Sequence, residues 1–545
     1  MKKKIILNLC DRGKYWFSAC TPSIEVYGKG FAFNGNIFLE NQSFVTWLLK
    51  ILTDFSAEKD FVEKLIQVLQ GLNGNFALVV KTDKILFAAV DRVRSIPLFY
   101  GVDGNNVVIS DDANYVRGQN ADAELDSLSV KEFMLTGYVT GPDTLFRQVK
   151  QMQAGECLWY VFLDSNAGIT THRYYRWIHE NYFSGTKDDL FEEMDRMHVR
   201  SFERLLESTK GRTLVVPLSG GYDSRLVVAM LKRLGRKNVI CFSYGKPGNW
   251  ESEISKHIAD TLGYPWFFVP YTRRKWREWF RSQEIADYHH YSSGLNSLAH
   301  VQDWPALWNL KKTFQIPNDA IIVPGHTGDF ISGGHIPLKW KDEESQTGLD
   351  KLLKSIWEKH YVKWKVESHD LNDLFRHKNI LALDGLQWNS MVDMAGAFES
   401  WEWQERQSKF IVNSVRVYEF WNYDWRMPMW DNDFMDYWAK IPLEHRFGKS
   451  LYDLFVKRLF AEMKVDFERI QHNDIGRYIS NRYISKGMDL CLDPRLGCFT
   501  FADALLCYRF YSAIYPARGL ASITKLTEIN TLGCWSILER IKKWT

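Results

Sequence analysis

The sequence predicts an α/β protein: an antiparallel β sandwich, then a doubly wound parallel sheet, then a mainly helical C-terminal part. Three observations carry that prediction. Up to about residue 160, short apolar runs alternate with Gly, Asn and Asp turns, the mark of strands joined by tight connections. Between residues 214 and 281, short apolar runs alternate with segments of helical spacing, as repeated βαβ units require. From about residue 350 to the end, helical spacing and aromatic residues dominate, with no repeat and no low-complexity tract.

Three lysines open the chain, but the apolar patch that follows runs only from Ile5 to Cys10, too short for a signal h-region; residues 4–10 read as a first strand. Further strands are expected in KGFAFNGNIFLE, in GNFALVVKTDKILFAAVD and in PLFYGVDGNNVVIS, with Asp103-Gly104 forming a hairpin turn. A helix is expected near 58–72. KDDLFEEMDRMHVRSFERLLES carries helical spacing and leads into Leu214–Leu218, a nearly all-apolar run like a strand buried on both faces. Arg225–Leu234 is helical and closes at Gly235; strand NVICFSYG, helix ESEISKHIADTLG, strand PWFFVPY and helix RRKWREWFRS follow. The expected division is a domain over 1–165 and a second over 185–545.

A chain of 545 residues exceeds one ordinary core, which agrees with two domains. Its 46% apolar and 25% charged residues place it among globular proteins. Lys and Arg number 69 against 66 acidic residues, which argues against a nucleic-acid binder. No apolar run reaches the roughly 18 residues of a membrane span. None of the eight cysteines forms a CxxC pair, so they read mostly as buried thiols of a reducing cytosol, and a cytoplasmic location is expected. The 22 tryptophans read as core packing, with a pocket for a flat or sugar-like substrate as the alternative.

The chemistry concentrates in Ser219-Gly220-Gly221-Tyr222-Asp223-Ser224, where a buried strand turns into a helix. Two glycines let the backbone approach an anion, successive N–H groups form a nest, and the helix adds its positive N-terminus. Ser219 and Ser224 supply hydroxyls, and Asp223 is a natural magnesium ligand beside phosphates. The loop is no Walker motif, since GxxxxGK[ST] is missing.

VVPLSGGYDSRLVVAML resembles the SGGxDS loop of N-type ATP pyrophosphatases, and the chain as a whole resembles the asparagine synthetase family. Phe242–Gly245 with Glu251-Ser252-Glu253 and Ala259 is similar to its F-S-x-G strand and ESE…A helix. Pro324–Gly334 resembles its S-G-x-G-A-D-E-L-F-G-G loop, and Arg426–Asp431 its R-x-P-F-L-D segment. In the N-terminal half, Leu72–Ala77 and Asp91–Tyr100 resemble L-x-G-x-F-A and R-D-x-x-G-x-x-P-L-Y-Y. The resemblance implies an Ntn-hydrolase-like glutaminase domain before an ATP pyrophosphatase domain. It implies that Leu218, Tyr244 and Gly325 border adenine and ribose, that Ser219, Gly220, Gly221 and Ser224 hold the phosphates, and that Asp223 and Asp329 share Mg2+. Lys449 would stabilise charge on the α-phosphate and the departing pyrophosphate. ATP and Mg2+ are thus the expected cofactors. A small-molecule carboxylate and ammonia or an amine are the expected partners, and a homodimer is compatible with the family.

Two departures shape the expectation. Glutamine-using members carry a cysteine directly after the initiator methionine; here Lys2 stands there, and Cys10 and Cys20 are internal. The N-terminal domain is therefore expected to keep the sandwich without hydrolysing glutamine. Phe330 stands where the family has a glutamate, which leaves the acid/base group open, with His326 and His335 nearby as titratable candidates. His289, His290, His300 and Asp303 are polar groups that can face the acyl substrate; they lack metal-ligand spacing. The functional expectation is an ATP-dependent amide ligase, divergent enough to act on a sugar acid. The alternatives are a glutamine-dependent asparagine synthase and a catalytically silent scaffold.

Overall fold

The computed structural model describes residues 4–9, 16–55, 60–103, 106–119, 124–162, 168–342, 347–361 and 369–463. Lys2, Cys10, Cys491, Cys498, Cys507 and Cys534, and the helices expected after residue 463, lie outside the described residues.

The N-terminal part contains β1 (Lys4–Asn8), β2 (Phe17–Cys20), β3 (Ile24–Asn34), β4 (Ile37–Glu40), β5 (Leu72–Thr82) and β6 (Ile85–Val90), then β7 (Phe99–Asp103), β8 (Asn106–Ser110), β9 (Lys150–Gln151), β10 (Glu156–Val161) and β11 (Thr170–Arg173). One sheet has the order β11-β10-β6-β5-β3-β2 with β4 on β3; the other has the order β1-β8-β7-β9. All pairs are antiparallel except β1 with β8, which run parallel. β7 and β8 pair antiparallel from Phe99 with Ser110 to Asp103 with Asn106, and Gly104 of the expected turn lies outside the described residues. β11 extends the large sheet to Arg173, past the expected domain end at 165.

Alternation explains the layering. Ala77 and Val79 of β5 turn to one face, with Ala88 and Val90 of β6, and pack toward the smaller sheet. Leu78 and Val80, with Phe87 and Ala89, turn to the other and meet Phe44, Leu48, Phe61 and Leu65. Those four lie on helices Gln42–Phe55 and Phe61–Gly71, the first of which the sequence reading missed. Because both faces are covered, β5 and β6 read as continuous apolar runs.

The second part holds β12 (Leu214–Pro217), β13 (Val239–Gly245), β14 (Trp266–Pro270), β15 (Ile321–Ile322) and β16 (Asp424–Trp425) in the order β14-β13-β12-β15-β16, all parallel. The chain moves outward from β12 to β14, then returns to the other side of β12 at β15. That reversal is a topological switch point, where α/β sheets open a crevice beyond the carboxyl ends of their strands. Helices Lys187–Ser208, Tyr222–Arg233 and Trp250–Leu262 flank the sheet, and helical segments continue to Glu462. Trp304, Trp340, Trp401, Trp403 and Trp438 are fully buried, so core packing accounts for them. Of the described cysteines, Cys157 and Cys241 are buried and Cys20 is exposed.

Residues 426–431 dock the two parts together. Arg426 reaches Glu40 at 2.9 Å, the Asn73 amide donates to Asp431 at 3.1 Å, and Asn432 N donates to Asn73 Oδ1 at 3.0 Å. No helix among the described residues is long and apolar enough to cross a membrane.

Candidate active site

β12 ends at Pro217 and β15 at Ile322, on either side of the switch point, so the segments 218–224 and 324–334 leave the sheet side by side. Leu218 is buried and bonded through its N–H to Phe242 O, which anchors the first loop to β13. Ser219 Oγ accepts from Gly221 N at 3.1 Å and lies 3.1 Å from Ser224 Oγ, which accepts from Ser219 N at 3.0 Å. The serines thus hold the Gly220-Gly221 turn in shape. Helix Tyr222–Arg233 begins directly after it, with Gly221 at its N-cap.

The two loops touch. Asp329 N donates to Asp223 Oδ2 at 3.1 Å. A Cβ on Gly325 would lie 2.6 Å from Ser224 N, and one on Gly328 would lie 2.9 Å from Asp223 Oδ1, so only glycine permits this approach. Lys449 lies beside the first loop: its Nζ sits 4.3 Å from the centre of the Tyr222 ring and 2.5 Å from Asp453. Tyr244, at the end of β13, stacks on Tyr271 and donates to Asp303 at 2.5 Å. Leu218, Tyr244, Gly325 and the two aspartates therefore share one edge of the sheet, with Lys449 adjoining.

Electrostatics distinguish the two carboxylates. Burial and the nearby Asp329 push Asp223 up to about 7. Burial acts the same way on Asp329, but the bond and charge of His335 outweigh it and hold Asp329 down at about 2.

The sequence reading missed several neighbours. Tyr452 donates to Asp223 Oδ1 at 2.9 Å; it lies in the first turn of helix Ser450–Glu462, whose N-cap is Lys449. His335 bridges Asp329, at 3.4 Å, to the fully buried Glu402. Glu402 also takes Lys359 at 2.8 Å and Arg406 at 3.3 Å, and nothing in its local sequence signals this role. Arg406 and Gln407 ride on a π-helical stretch, Trp403–Ile411, and Gln407 meets Thr327 of the second loop at 3.2 Å. Phe330 is buried against Trp177 and His335, so an apolar cluster occupies the place of the family's glutamate.

The histidines separate as well. Burial opposes charge on His335, but Glu402 and Asp329 raise it to about 9. Burial, with His300 nearby, lowers His326 to about 4, and its Nε2 lies 2.7 Å from Ser414 Oγ. Of the polar group expected to face substrate, Asp303 is engaged by Tyr244 and by Tyr418 at 2.7 Å, and His289 is buried.

Comparison with known proteins matches residues 59–175 to a glutamine amidotransferase domain and residues 208–463 to asparagine synthase. The chain belongs to the asparagine synthetase family. Asparagine synthetase [glutamine-hydrolyzing] 1 of Bacillus subtilis (strain 168) is 25% identical over 201 residues, or 35% of this chain. That match spans only 30% of the relative's own length. Among solved structures, a glutamine phosphoribosylpyrophosphate amidotransferase from B. subtilis complexed with ADP and GMP aligns over 57% of this chain and 63% of its own, at 12% identity and a TM-score of 0.20. An allosteric regulatory enzyme of purine biosynthesis aligns over 46% of each chain at 15% identity, also with a TM-score of 0.20. As a family member the chain pairs the synthase-type domain that carries both loops with an amidotransferase-type domain docked against residues 426–431.

Proposed function

We propose that this chain is an ATP-dependent amide-forming ligase: it adenylates a carboxylate, releases pyrophosphate, and passes the acyl group to ammonia or an amine, releasing AMP. The observation that carries the reading is the 3.1 Å contact between Asp329 N and Asp223 Oδ2, which joins two loops 106 residues apart.

The residues fit a divalent cation. Burial, with repulsion from Asp329, keeps a proton on Asp223 up to about pH 7 despite the nearby Lys449. Among the described residues no cluster of three or more protein ligands exists, so Asp223 and Asp329 would share Mg2+ with phosphate oxygens. When bound, that ion neutralises charge on the triphosphate.

The protein's own residues supply the rest. The Gly220 N–H and the Ser219 and Ser224 hydroxyls would meet phosphate oxygens, reinforced by the helix N-terminus, while the N–H groups of Ser219 and Gly221 hold the loop in shape through Ser224 and Ser219. Leu218, Gly325 and Tyr244 border the nucleoside. Lys449 stabilises negative charge that builds on the α-phosphate and the leaving pyrophosphate, as a preplaced cation does in a site shielded from water. His326, neutral and held by Ser414, is the group of the second loop that can take a proton from the attacking amine, as a weak base because burial lowers it to about 4. His335 stays charged between Asp329 and Glu402 and positions Asp329.

Commitments of the N-terminal motifs support a domain that scaffolds rather than hydrolyses glutamine. Asn73 is spent on Asp431 and Asn432, and Asp91 accepts from Phe76 N, Val93 N and Ser95. Burial of so many tryptophans removes aromatic richness as an argument for a sugar acid, which rests on the family resemblance alone.

The test is pyrophosphate release by purified protein with ATP, Mg2+ and ammonium across aspartate, uronic-acid nucleotides and related carboxylates. AMP and pyrophosphate with one of them support the reading; ADP instead refutes it. Glutamate formed from glutamine would favour the glutamine-dependent alternative, and absence of nucleotide binding the silent scaffold.

A further inference from the structure

Away from the phosphate loops, the seam between the two parts holds a small cavity of about 50 Å3. Arg94 and Lys29 line it from the N-terminal side, and Asn296, Asn413 and Arg416 from the other. We propose that this cavity is a binding site for a small carboxylate, held by the guanidinium groups of Arg94 and Arg416.

The argument starts from charge. Arg94 is 3% exposed and Arg416 5% exposed, and buried cations are ordinarily paired. Arg416 has Glu419 at 2.7 Å and donates to Ser95 O at 2.5 Å. Arg94 donates to Met152 O at 2.7 Å and lies over the Phe99 ring, and among the described residues no carboxylate pairs with it. Nη2 of Arg94 and Nε of Arg416 are buried donors with no acceptor. Burial and the like charge of Arg416 push Arg94 down to about 9, against the weaker pull of Glu156, Asp91 and Glu405, none of which forms an ion pair with it.

Acids near the cavity do not fill the gap. Asp111 is engaged by Lys29 at 3.7 Å and Trp16 at 2.8 Å, and Asp112 caps Asn114 N at 2.9 Å. The lining sets Lys29, Arg94 and Arg416 against Asp111 and Asp112, an excess of one positive charge that suits a monoanion, and a planar guanidinium matches a carboxylate in two-pronged fashion. A doubly charged phosphate would meet the two aspartates at the same wall. Backbone strain points the same way: Arg94 has φ +53°, at the position where the family pattern has glycine. Keeping an arginine in a conformation that glycine adopts freely makes sense where its side chain has a task.

The test is calorimetric titration of the full-length protein at constant ionic strength with acetate, glutamate and inorganic phosphate. A carboxylate should bind one per chain, and Arg94→Gly, which suits the left-handed backbone, should weaken it at least tenfold. A bromoacetate soak of wild-type crystals should place bromine anomalous signal between Arg94 and Arg416, independent of how any variant folds. No saturable carboxylate binding, binding unchanged in Arg94→Gly, tighter binding of phosphate, or bromine bound only elsewhere would each overturn the proposal. None of these readouts depends on the ligase reaction.

Discussion

Replacing Gly325 by alanine adds one methyl group to the point where the two loops meet. Its Cβ would stand 2.6 Å from Ser224 N, 2.9 Å from Asp223 C and 3.0 Å from Ser224 Cα. All three are backbone atoms at the start of helix Tyr222–Arg233, so no side chain can rotate away. To reach ordinary contact at 3.4 Å, the second loop must retreat by about 0.8 Å, and Asp329 moves with it. Overpacking of this kind costs about 1–3 kcal/mol of stability. A displacement near 1 Å in a reacting constellation costs roughly 100-fold in rate. Pyrophosphate release should therefore fall by about that factor, and Mg2+–ATP binding should weaken in parallel. Gly71→Ala is the control: its Cβ meets nothing within 4 Å, and the variant should match wild type. Wild-type turnover and nucleotide affinity in Gly325→Ala would refute the claim that the loops act as one site.

Three further outcomes follow from the same geometry. Lys449→Met should lower kcat for pyrophosphate release by roughly 100- to 1,000-fold with little change in KM, the pattern of charge stabilisation confined to the transition state; a KM effect alone would assign the lysine to ground-state binding. Asp223 binds a proton in the folded protein up to about pH 7, whereas a free aspartate loses it near 4, so its burial lowers stability as pH rises between those values. Metal must displace that proton: titrating Mg2+–ATP at pH 6.5 in buffers of different ionisation enthalpy should show proton release, and none in Asp223→Asn. Glu402→Gln leaves His335, Lys359 and Arg406 without their shared anion and should cost roughly 3–5 kcal/mol, read by urea unfolding. Because Glu402 and Asp329 raise His335 to about 9 from 6.5, its stabilisation is complete below pH 6.5 and disappears as pH rises through 9. The wild-type stability loss over that window should shrink in the variant.

Local signals made much of this legible. Leu214–Pro217, Tyr222–Arg233 and Val239–Gly245 form where apolar runs and helical spacing indicate, because a strand covered on both faces must be apolar throughout. SGGYDS and PGHTGD were readable as loops because glycine, serine and aspartate have few other reasons to cluster at a strand end. Residues that act at long range were not. Glu402 meets His335 across 67 positions and Tyr452 meets Asp223 across 229, pairings set by helix packing rather than by any local pattern. Helix Gln42–Phe55 was hidden because QSFVTWLLKILTDF mixes β-favouring and helix-favouring residues, and packing against β3 decides in favour of the helix. Arg94 carries no local signal of its own, for its left-handed backbone and its buried, unbonded Nη2 are set by the fold.

The most direct test is a crystal grown with Mn2+ and an ATP analogue carrying a methylene bridge between the α- and β-phosphorus atoms. Manganese anomalous signal should lie within coordination distance of both Asp223 and Asp329, with the triphosphate along residues 219–224. Manganese bound to one aspartate alone, or a triphosphate lying away from that loop, would contradict the account.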